Sequence, residues 1–399
     1  MKLFASLRKR AGPWAISLLG CLLASTASQT HAGEARQFQL GVAKIDVTPP
    51  EAIRLTGYGG RRTPSAGVEQ MLWAKALAIG SDREGPALLM TLDNCGIAEE
   101  TYREVVRRLK KAGVKQDRLA ICLSHTHTGP CTTYWAPNIF AQDIPPEQRA
   151  TIDRYTGALI DKLEQVAVAA LKDRRPGILS WSQGSVGFAR NRRVVVGKAA
   201  QFGDNAAGPA DHALPVLKVE GTDGTLRALV ANYACHCTTL GGEFNQICGD
   251  WAGYAQEYLE RDHAGAIALV TIGCGADANP HPRGGADGGL ALAKKHGEEI
   301  AAEVKRLLTQ NFSPLSSRLT TRLKEIELPF APHFTREQWE ARAKRAVLWV
   351  ITQRRISPGW IAVRSFRRNF TTRSRRGILA MTWRWSFSPV KSSWTTRSG

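Results

Sequence analysis

Three short polar runs in this 399-residue sequence carry side chains able to bind a cation or move a proton: Ser124-His125-Thr126-His127-Thr128-Gly129-Pro130, Ala234-Cys235-His236-Cys237-Thr238-Thr239 and Gly273-Cys274-Gly275-Ala276-Asp277-Ala278-Asn279-Pro280. His-x-His in an extended segment turns both imidazoles to one side, so His125 and His127 either grip one divalent metal or divide into one ligand and one acid-base group. His236 offers a third ligand. Against this stands a structural reading, in which half-buried histidines satisfy carbonyls and Cys235 and Cys237 act as apolar filler. Cys-x-Cys has no matching pair elsewhere, which argues against a closed structural zinc site. Asp250, just ahead of a helix from Trp251, fits a cap on free amides. Asn191-Arg192-Arg193 either holds a substrate oxygen or is solvated surface. Asp277 lies in a Gly-rich turn, where local hydrogen bonding competes with a functional role.

The segments that must position these side chains are short β-rich runs alternating with amphipathic helical stretches. Residues 40–47, 72–79, 87–92, 119–123, 226–233 and 266–272 read as strands, several almost continuously apolar and so buried on both faces; a further strand is expected over 178–188. Residues 98–112, 151–172, 251–261 and 288–308 read as helices, and in the second of these Ile152, Tyr155, Leu159, Leu163, Val166 and Ala170 form one apolar face. Only 201–213 and 280–289 have the composition of long exposed loops. The fold class is therefore α/β, a mixed buried β-sheet core flanked by helices. All three polar runs follow strands, so a single site on loops at strand C-terminal ends is expected.

The formal charge of +19 resembles a nucleic-acid footprint until it is divided along the chain. Residues 1–32 hold four basic residues and no acid, residues 341–399 hold 14 and no acid, and the stretch between carries 36 basic against 35 acidic residues. The folded part is nearly neutral, so no nucleic-acid partner is expected. Lys2, Arg8, Lys9 and Arg10 precede an apolar run from Trp14 to Ala24 and a small-residue boundary at Thr30-His31-Ala32, which reads as a signal peptide over 1–32 and export to the periplasm, cell surface or medium. A lipoprotein anchor at Cys21 is the alternative, weakened because the apolar run continues through Leu22, Leu23 and Ala24. Seven cysteines then remain, an odd number that leaves at least one thiol free.

After Glu340 no acidic residue occurs for 59 positions, while five of the eleven Trp fall there without helix or strand period. This composition points to a shifted reading frame. Trp360-Ile361, Met381-Thr382 and Trp394-Thr395 each force Asp in the neighbouring frame, and free choice of the other codons yields a protein-like stretch containing Gly-Glu-Val-Val-Val-Asp-Tyr. The opposing reading is a genuine basic tail that contacts anionic polymers or a membrane surface.

Gly41-Val42-Ala43-Lys44-Ile45-Asp46-Val47-Thr48-Pro49, Gly57-Tyr58-Gly59, the His125/His127 run, Asn191-Arg192, Asn232-Tyr233-Ala234-Cys235-His236 and Gly249-Asp250-Trp251-Ala252-Gly253-Tyr254-Ala255 together resemble the catalytic domain of neutral/alkaline ceramidases. The resemblance covers roughly 40–340. It implies a secreted or membrane-facing protein that holds one zinc and hydrolyses the N-acyl amide of ceramide. It also implies His125 and His236 as zinc ligands, His127 as the acid-base or substrate-orienting group, and Asn191 and Arg192 as substrate-binding. Two departures stand out. Where the family has Gly-Asp-x-Ser-Pro-Asn, this chain has Gly275-Ala276-Asp277-Ala278-Asn279-Pro280, leaving Asp277 beside His127 as the catalytic side chains and metal-activated water as the expected attacker. The family's later Glu and Tyr zinc ligands are not found in 341–399, although the Gly-Glu of the neighbouring frame resembles the first; the family's C-terminal immunoglobulin-like domain is likewise not found.

The expectation is thus an exported zinc amidohydrolase with a small-molecule or lipid amide substrate and peripheral membrane contact, incomplete over 33–340 and impaired by a frame-shifted end. The rival is a non-catalytic exported binding protein that uses its basic tail to hold anionic surfaces. Oligomeric state is not legible. Sequencing the gene through this region should reveal an open neighbouring frame with Asp at the three positions above; unambiguous reads with that frame closed by stop codons would exclude the shift.

Overall fold

The computed structural model describes residues 37–197, 199–316, 318–326 and 333–343; the expected signal peptide and nearly all of 341–399 lie outside them. The first half runs β1 (Gln37–Asp46), β2 (Gly67–Val68), β3 (Trp73–Ile79), β4 (Ala87–Leu92), α1 (Glu99–Lys111), β5 (Leu119–Leu123) and α2 (Pro146–Lys172). There follow β6 (Arg175–Ser185), β7 (Ala189–Val196), β8 (Ala199–Asn205), β9 (Ala213–Gly221), β10 (Leu226–Tyr233) and β11 (Gln246–Ile247). The described chain finishes with α3 (Asp250–Asp262), β12 (Ile267–Ile272), β13 (Ala278–Pro280), α4 (Leu290–Leu308), β14 (Ser313–Pro314) and α5 (Arg336–Ala343).

One mixed sheet in the order β12-β10-β9-β6-β1-β3-β4-β5, with β14 added on β6, forms the core. Strands β4/β5 and β10/β12 pair in parallel at its two ends, and the strands between pair antiparallel. Period-2 alternation gives the sheet two apolar faces. Leu40 and Val42 of β1 join Leu77, Leu217, Val230 and Leu269 in one cluster, whereas Ala43 and Ile45 turn the other way onto Leu159 and Leu163 of α2. The inner cluster draws on both halves of the sheet because the sheet folds over on itself, bringing β12 against β3, β4 and β5. Helices α1 and α2 cover the outer face of one half, and α3 and α4 cover that of the other. The α/β class and the six main strands agree with the sequence reading to within a few residues.

Two differences have simple causes. Helix α2 starts five residues before the expected 151, because Pro145-Pro146 supplies the fixed φ and the missing amide that suit a first turn. Part of the expected loop 201–213 is instead strand β8, which pairs with β7 yet is exposed along most of its length, so no apolar alternation marked it. No helix among the described residues is long and apolar enough to cross a membrane.

Buried Lys75 of β3 ties the two layers together: its ammonium donates to Glu260 of α3 at 2.6 Å and to the Ala268 carbonyl of β12 at 2.8 Å. Lys44, exposed, meets the other oxygen of Glu260 at 2.6 Å. Replacing Glu260 with Ala strands the Lys75 charge in the core and should cost about 3 kcal/mol. Lys44→Ala should cost well under about 1 kcal/mol. Urea denaturation midpoints of the two variants test the difference.

Candidate active site

The fold of the sheet brings the carboxyl ends of β5, β10 and β12 to one place. Main-chain hydrogen bonds lock the loops that follow them: His127 N–H donates to the Cys237 carbonyl at 3.1 Å, and His236 N–H to Ala278 at 3.1 Å. The indole N–H of Trp251, at the start of α3, donates to the His236 carbonyl at 2.9 Å. Asp250 begins that helix and is fully buried, its two oxygens accepting from the amides of Trp251 at 2.6 Å and Leu240 at 3.0 Å, so it also anchors the loop after His236.

Three imidazoles meet there. Ring centroids lie 4.7 Å apart for His125 and His236, 5.0 Å for His125 and His127, and 5.7 Å for His127 and His236. His125 takes a left-handed φ of 56° and its Nδ1–H donates to the Cys95 carbonyl at 2.7 Å. His236 Nδ1–H donates in the same way to the Gly275 carbonyl at 2.6 Å. A carbonyl can only accept, so each Nδ1 carries the proton and each neutral ring keeps its lone pair on Nε2, which in His236 accepts from Arg192. Burial holds all three rings below the ordinary imidazole pKa, His236 at about 4 and His127 at about 2, with neighbouring rings and Arg192 adding to the effect on both.

This donor set fits a divalent metal. Nε2 of His125 and Nε2 of His127 stand 3.3 Å apart, close enough for His127 to act on a group held at Nε2 of His125. His127 Nδ1 is buried without a hydrogen-bond partner, and Cys95, His125 and His127 offer ligand atoms within 4.8 Å of one another. Burial raises the Cys95 thiol pKa, which disfavours the thiolate, so the contribution of Cys95 here is its carbonyl.

Arg192 enters from β7. Its Nη2 donates to His236 Nε2 at 2.8 Å and to the Ala276 carbonyl at 2.9 Å, its Nη1 to Asn279 at 3.0 Å, and its main-chain N–H to the Asp277 carbonyl at 2.7 Å. Neighbouring Asn191 is buried and donates to the Pro209 carbonyl at 2.8 Å and to the Asp277 carboxylate at 3.4 Å. Asp277 thus connects to the imidazoles through Arg192. Cys235 and Cys237 lie wholly in the apolar core with thiol pKa values pushed well up, as filler; all seven cysteines of the described residues are free thiols.

Several contributors have roles that the sequence alone does not assign. Arg61, of a residue type usually found at the surface, is buried; it donates to the Thr56 carbonyl at 2.7 Å, to the Phe244 carbonyl at 2.9 Å and also to the His127 carbonyl, and burial pulls its pKa down to about 10. Asn279 bridges Arg192 and Thr238. Tyr58 sets its ring edge-on to His127 at 5.0 Å while its hydroxyl donates to the Leu240 carbonyl at 2.6 Å. Gly57 explains itself only in three dimensions: at φ +88°, a Cβ would sit 2.4 Å from Cγ of His127.

Residues 38–297 match the family model described as the N-terminal part of neutral/alkaline non-lysosomal ceramidase. The chain belongs to that family. Relatives within it include a neutral ceramidase of Pseudomonas aeruginosa, 23% identical over an alignment of 338 residues that covers 80% of this chain and 49% of that protein. Another is neutral ceramidase B of Dictyostelium discoideum, 23% identical over 62% of this chain and 36% of its own length. The chain therefore spans half or less of the curated relatives it matches. Among solved structures, the P. aeruginosa neutral ceramidase superposes with a TM-score of 0.62 at 21% identity over 74% of this chain and 48% of that one. A structure titled "Ceramidase complexed with C2" gives 0.62 at 20% identity over 73% and 46%. These likenesses establish the shared α/β fold.

The tight approach at Gly57 is open to direct test. Gly57→Ala adds a strained left-handed residue, costing at least about 1 kcal/mol, and pushes the His127 ring aside. Its denaturation midpoint should fall and the His127 imidazole NMR resonances should move. Gly60→Ala, which meets open space, should leave both unchanged.

Proposed function

We propose that this chain is the metal-binding part of an exported zinc amidohydrolase that cleaves the N-acyl amide of a ceramide-like lipid. The observation that carries the reading is the adjacent pair His125 and His236, on loops from opposite ends of the sheet, each with its Nδ1–H committed to a carbonyl and its lone pair on Nε2; a cation there would take the place of the Arg192 hydrogen bond to His236. Carbonyl partners of this kind fix the tautomer and orientation of ligating histidines. The names of the relatives supply the substrate class.

In this reading His125 and His236 hold zinc. Zinc bound there supplies Lewis acidity toward the amide carbonyl and activates water for attack, chemistry suited to a chain with Ala278 in place of a serine nucleophile. His127 stays neutral at rest because it is buried, and it could take the proton released by the attacking water and pass it to the leaving amine. Arg192 and Asn191 bind and orient the amide. Asp277 holds both in place, through its main-chain carbonyl and its carboxylate respectively.

Residues 341–399 contain no acid, so no Glu from that stretch can complete the ligand set, and the chain as written should hold zinc weakly and turn over slowly. Competition with a chromogenic chelator tests this. Weak binding by the 399-residue chain, falling by more than about tenfold in His125→Ala or His236→Ala, is expected. A full equivalent of zinc that survives dialysis would overturn the impairment. A frame-corrected protein assayed on N-acyl sphingosine, simple esters and peptides should release fatty acid from the first; turnover of peptides or esters alone would reject the lipid-amide reading.

A further inference from the structure

An irregularity in the β7–β8 ladder gathers two neighbouring arginines. The register slips between Asn191 and Arg193, so that Gly203 and Asp204 of β8 stand opposite Arg192 alone. Bulges of this kind increase local twist and re-aim side chains. Consecutive side chains of a regular strand point to opposite faces, yet Arg192 and Arg193 both donate to the Ala276 carbonyl, at 2.9 Å and 3.3 Å. A third arginine arrives from the loop after β13. There Gly284 N–H donates to the Thr239 carbonyl at 2.8 Å and the Pro282 carbonyl accepts from His296 Nε2 at 2.8 Å, which pins Arg283 between them. Arg283 Nη2 donates to the Tyr58 hydroxyl at 2.9 Å, and the Tyr58 ring is edge-on to His127. Arg192 and Arg193 thus flank the cluster on the His236 side, and Arg283 reaches it on the His127 side.

Elsewhere in the fold, buried or half-buried bases meet carboxylates: Lys75 meets Glu260, Arg108 meets Asp161 and Glu164, and Arg227 meets Asp173. Arg192, Arg193 and Arg283 hydrogen-bond only neutral groups among the described residues. The nearby acids are committed otherwise. Asp250 is fully buried with both oxygens on amides, and Asp277 turns its carboxylate to Asn191. Burial lowers the Arg192 pKa, the charges of Arg193 and Arg283 push the same way, and Asp277 opposes them more weakly. We propose that the mouth of the imidazole pocket, with Arg193 and Arg283 on its two sides, takes an anionic group, a carboxylate or a phosphate monoester. Each of these two side chains uses only Nη2 in a hydrogen bond among the described residues, and none of their remaining nitrogens is both buried and unpartnered, so a planar fork of donors stays open on each. The inference deepens the amide-hydrolase reading and rests on it for its purpose: the anion is a substituent on the amine half of the substrate or the carboxylate freed by cleavage. A neutral hydroxyl leaves the positive charge unanswered.

Inorganic phosphate, hexanoate and N-acetylglycine, titrated at constant pH into the full chain stripped of metal on a chelating resin, test this. Binding is followed at the His127 and His236 imidazole NMR resonances, which report on the pocket rather than on the basic 341–399 stretch. All three anions should shift them saturably, and acetamide at the same concentrations should not. The R193Q/R283Q variant should bind at least about tenfold more weakly, with its circular dichroism unchanged. R190Q, whose arginine already pairs with Asp204 on the same hairpin, should bind as wild type does. R193Q alone gives up one long hydrogen bond and keeps the test available if the double variant misfolds; it should bind at least about threefold more weakly. Hexanoate binding more tightly than N-acetylglycine assigns the subsite to the released acid, and the reverse order assigns it to the amine half. No saturable shift with any anion, an equal response to acetamide, or wild-type affinity in R193Q/R283Q overturns the proposal. Because binding is read without metal, its failure leaves the zinc reading standing, and weak zinc binding leaves these results standing.

Discussion

His125 and His236 adjoin because the sheet is folded across its own inner apolar face. Their strands, β5 and β10, lie near opposite ends of the strand order, and an open twisted sheet would hold them several strand widths apart. Closing the sheet on Leu40, Leu77, Leu217, Val230 and Leu269 buries that surface and brings the parallel pair β4/β5 toward the parallel pair β10/β12. Hydrophobic burial is non-directional, so it can bring the strand ends close without fixing their rings. Direction comes from the hydrogen bonds between loops and from the two Nδ1–H groups that point at carbonyls.

The same closure sets the electrostatics. Rings packed within about 5–6 Å of one another in a partly dry pocket repel each other once protonated, and Arg192 adds a fixed positive charge beside them. Removal from water acts in the same direction, so the pocket favours neutral imidazoles and concentrates lone pairs in a small volume. A cluster of like side chains, costly when charged, becomes favourable when a cation is shared. That logic supports a metal more directly than any count of histidines.

Much of this was legible in the sequence, for physical reasons that differ by element. The buried strands declared themselves because apolar runs such as Ala87–Leu92 have few other uses, and α2 because its apolar residues recur at helical spacing. The loops carrying His125, His127 and His236 were found because polar clusters follow such strands. What stayed hidden depends on tertiary packing. Arg61 is an ordinary surface residue by type, and only the walls around it make it internal. Cys95 acts through its carbonyl, which every residue possesses. Strand β8 lacks a buried face and therefore lacks a pattern.

Arg61 gathers carbonyls from three stretches that are far apart in sequence, those of Thr56, His127 and Phe244, onto one planar guanidinium. Pulling any one stretch away leaves a desolvated cation short of acceptors, so no stretch can loosen alone at low cost. One side of the pocket is thereby tied into a single unit, although it is assembled from segments nearly two hundred residues apart. Variation in the loop around Phe244 is then felt at His127 without touching it, a form of long-distance coupling made from one side chain.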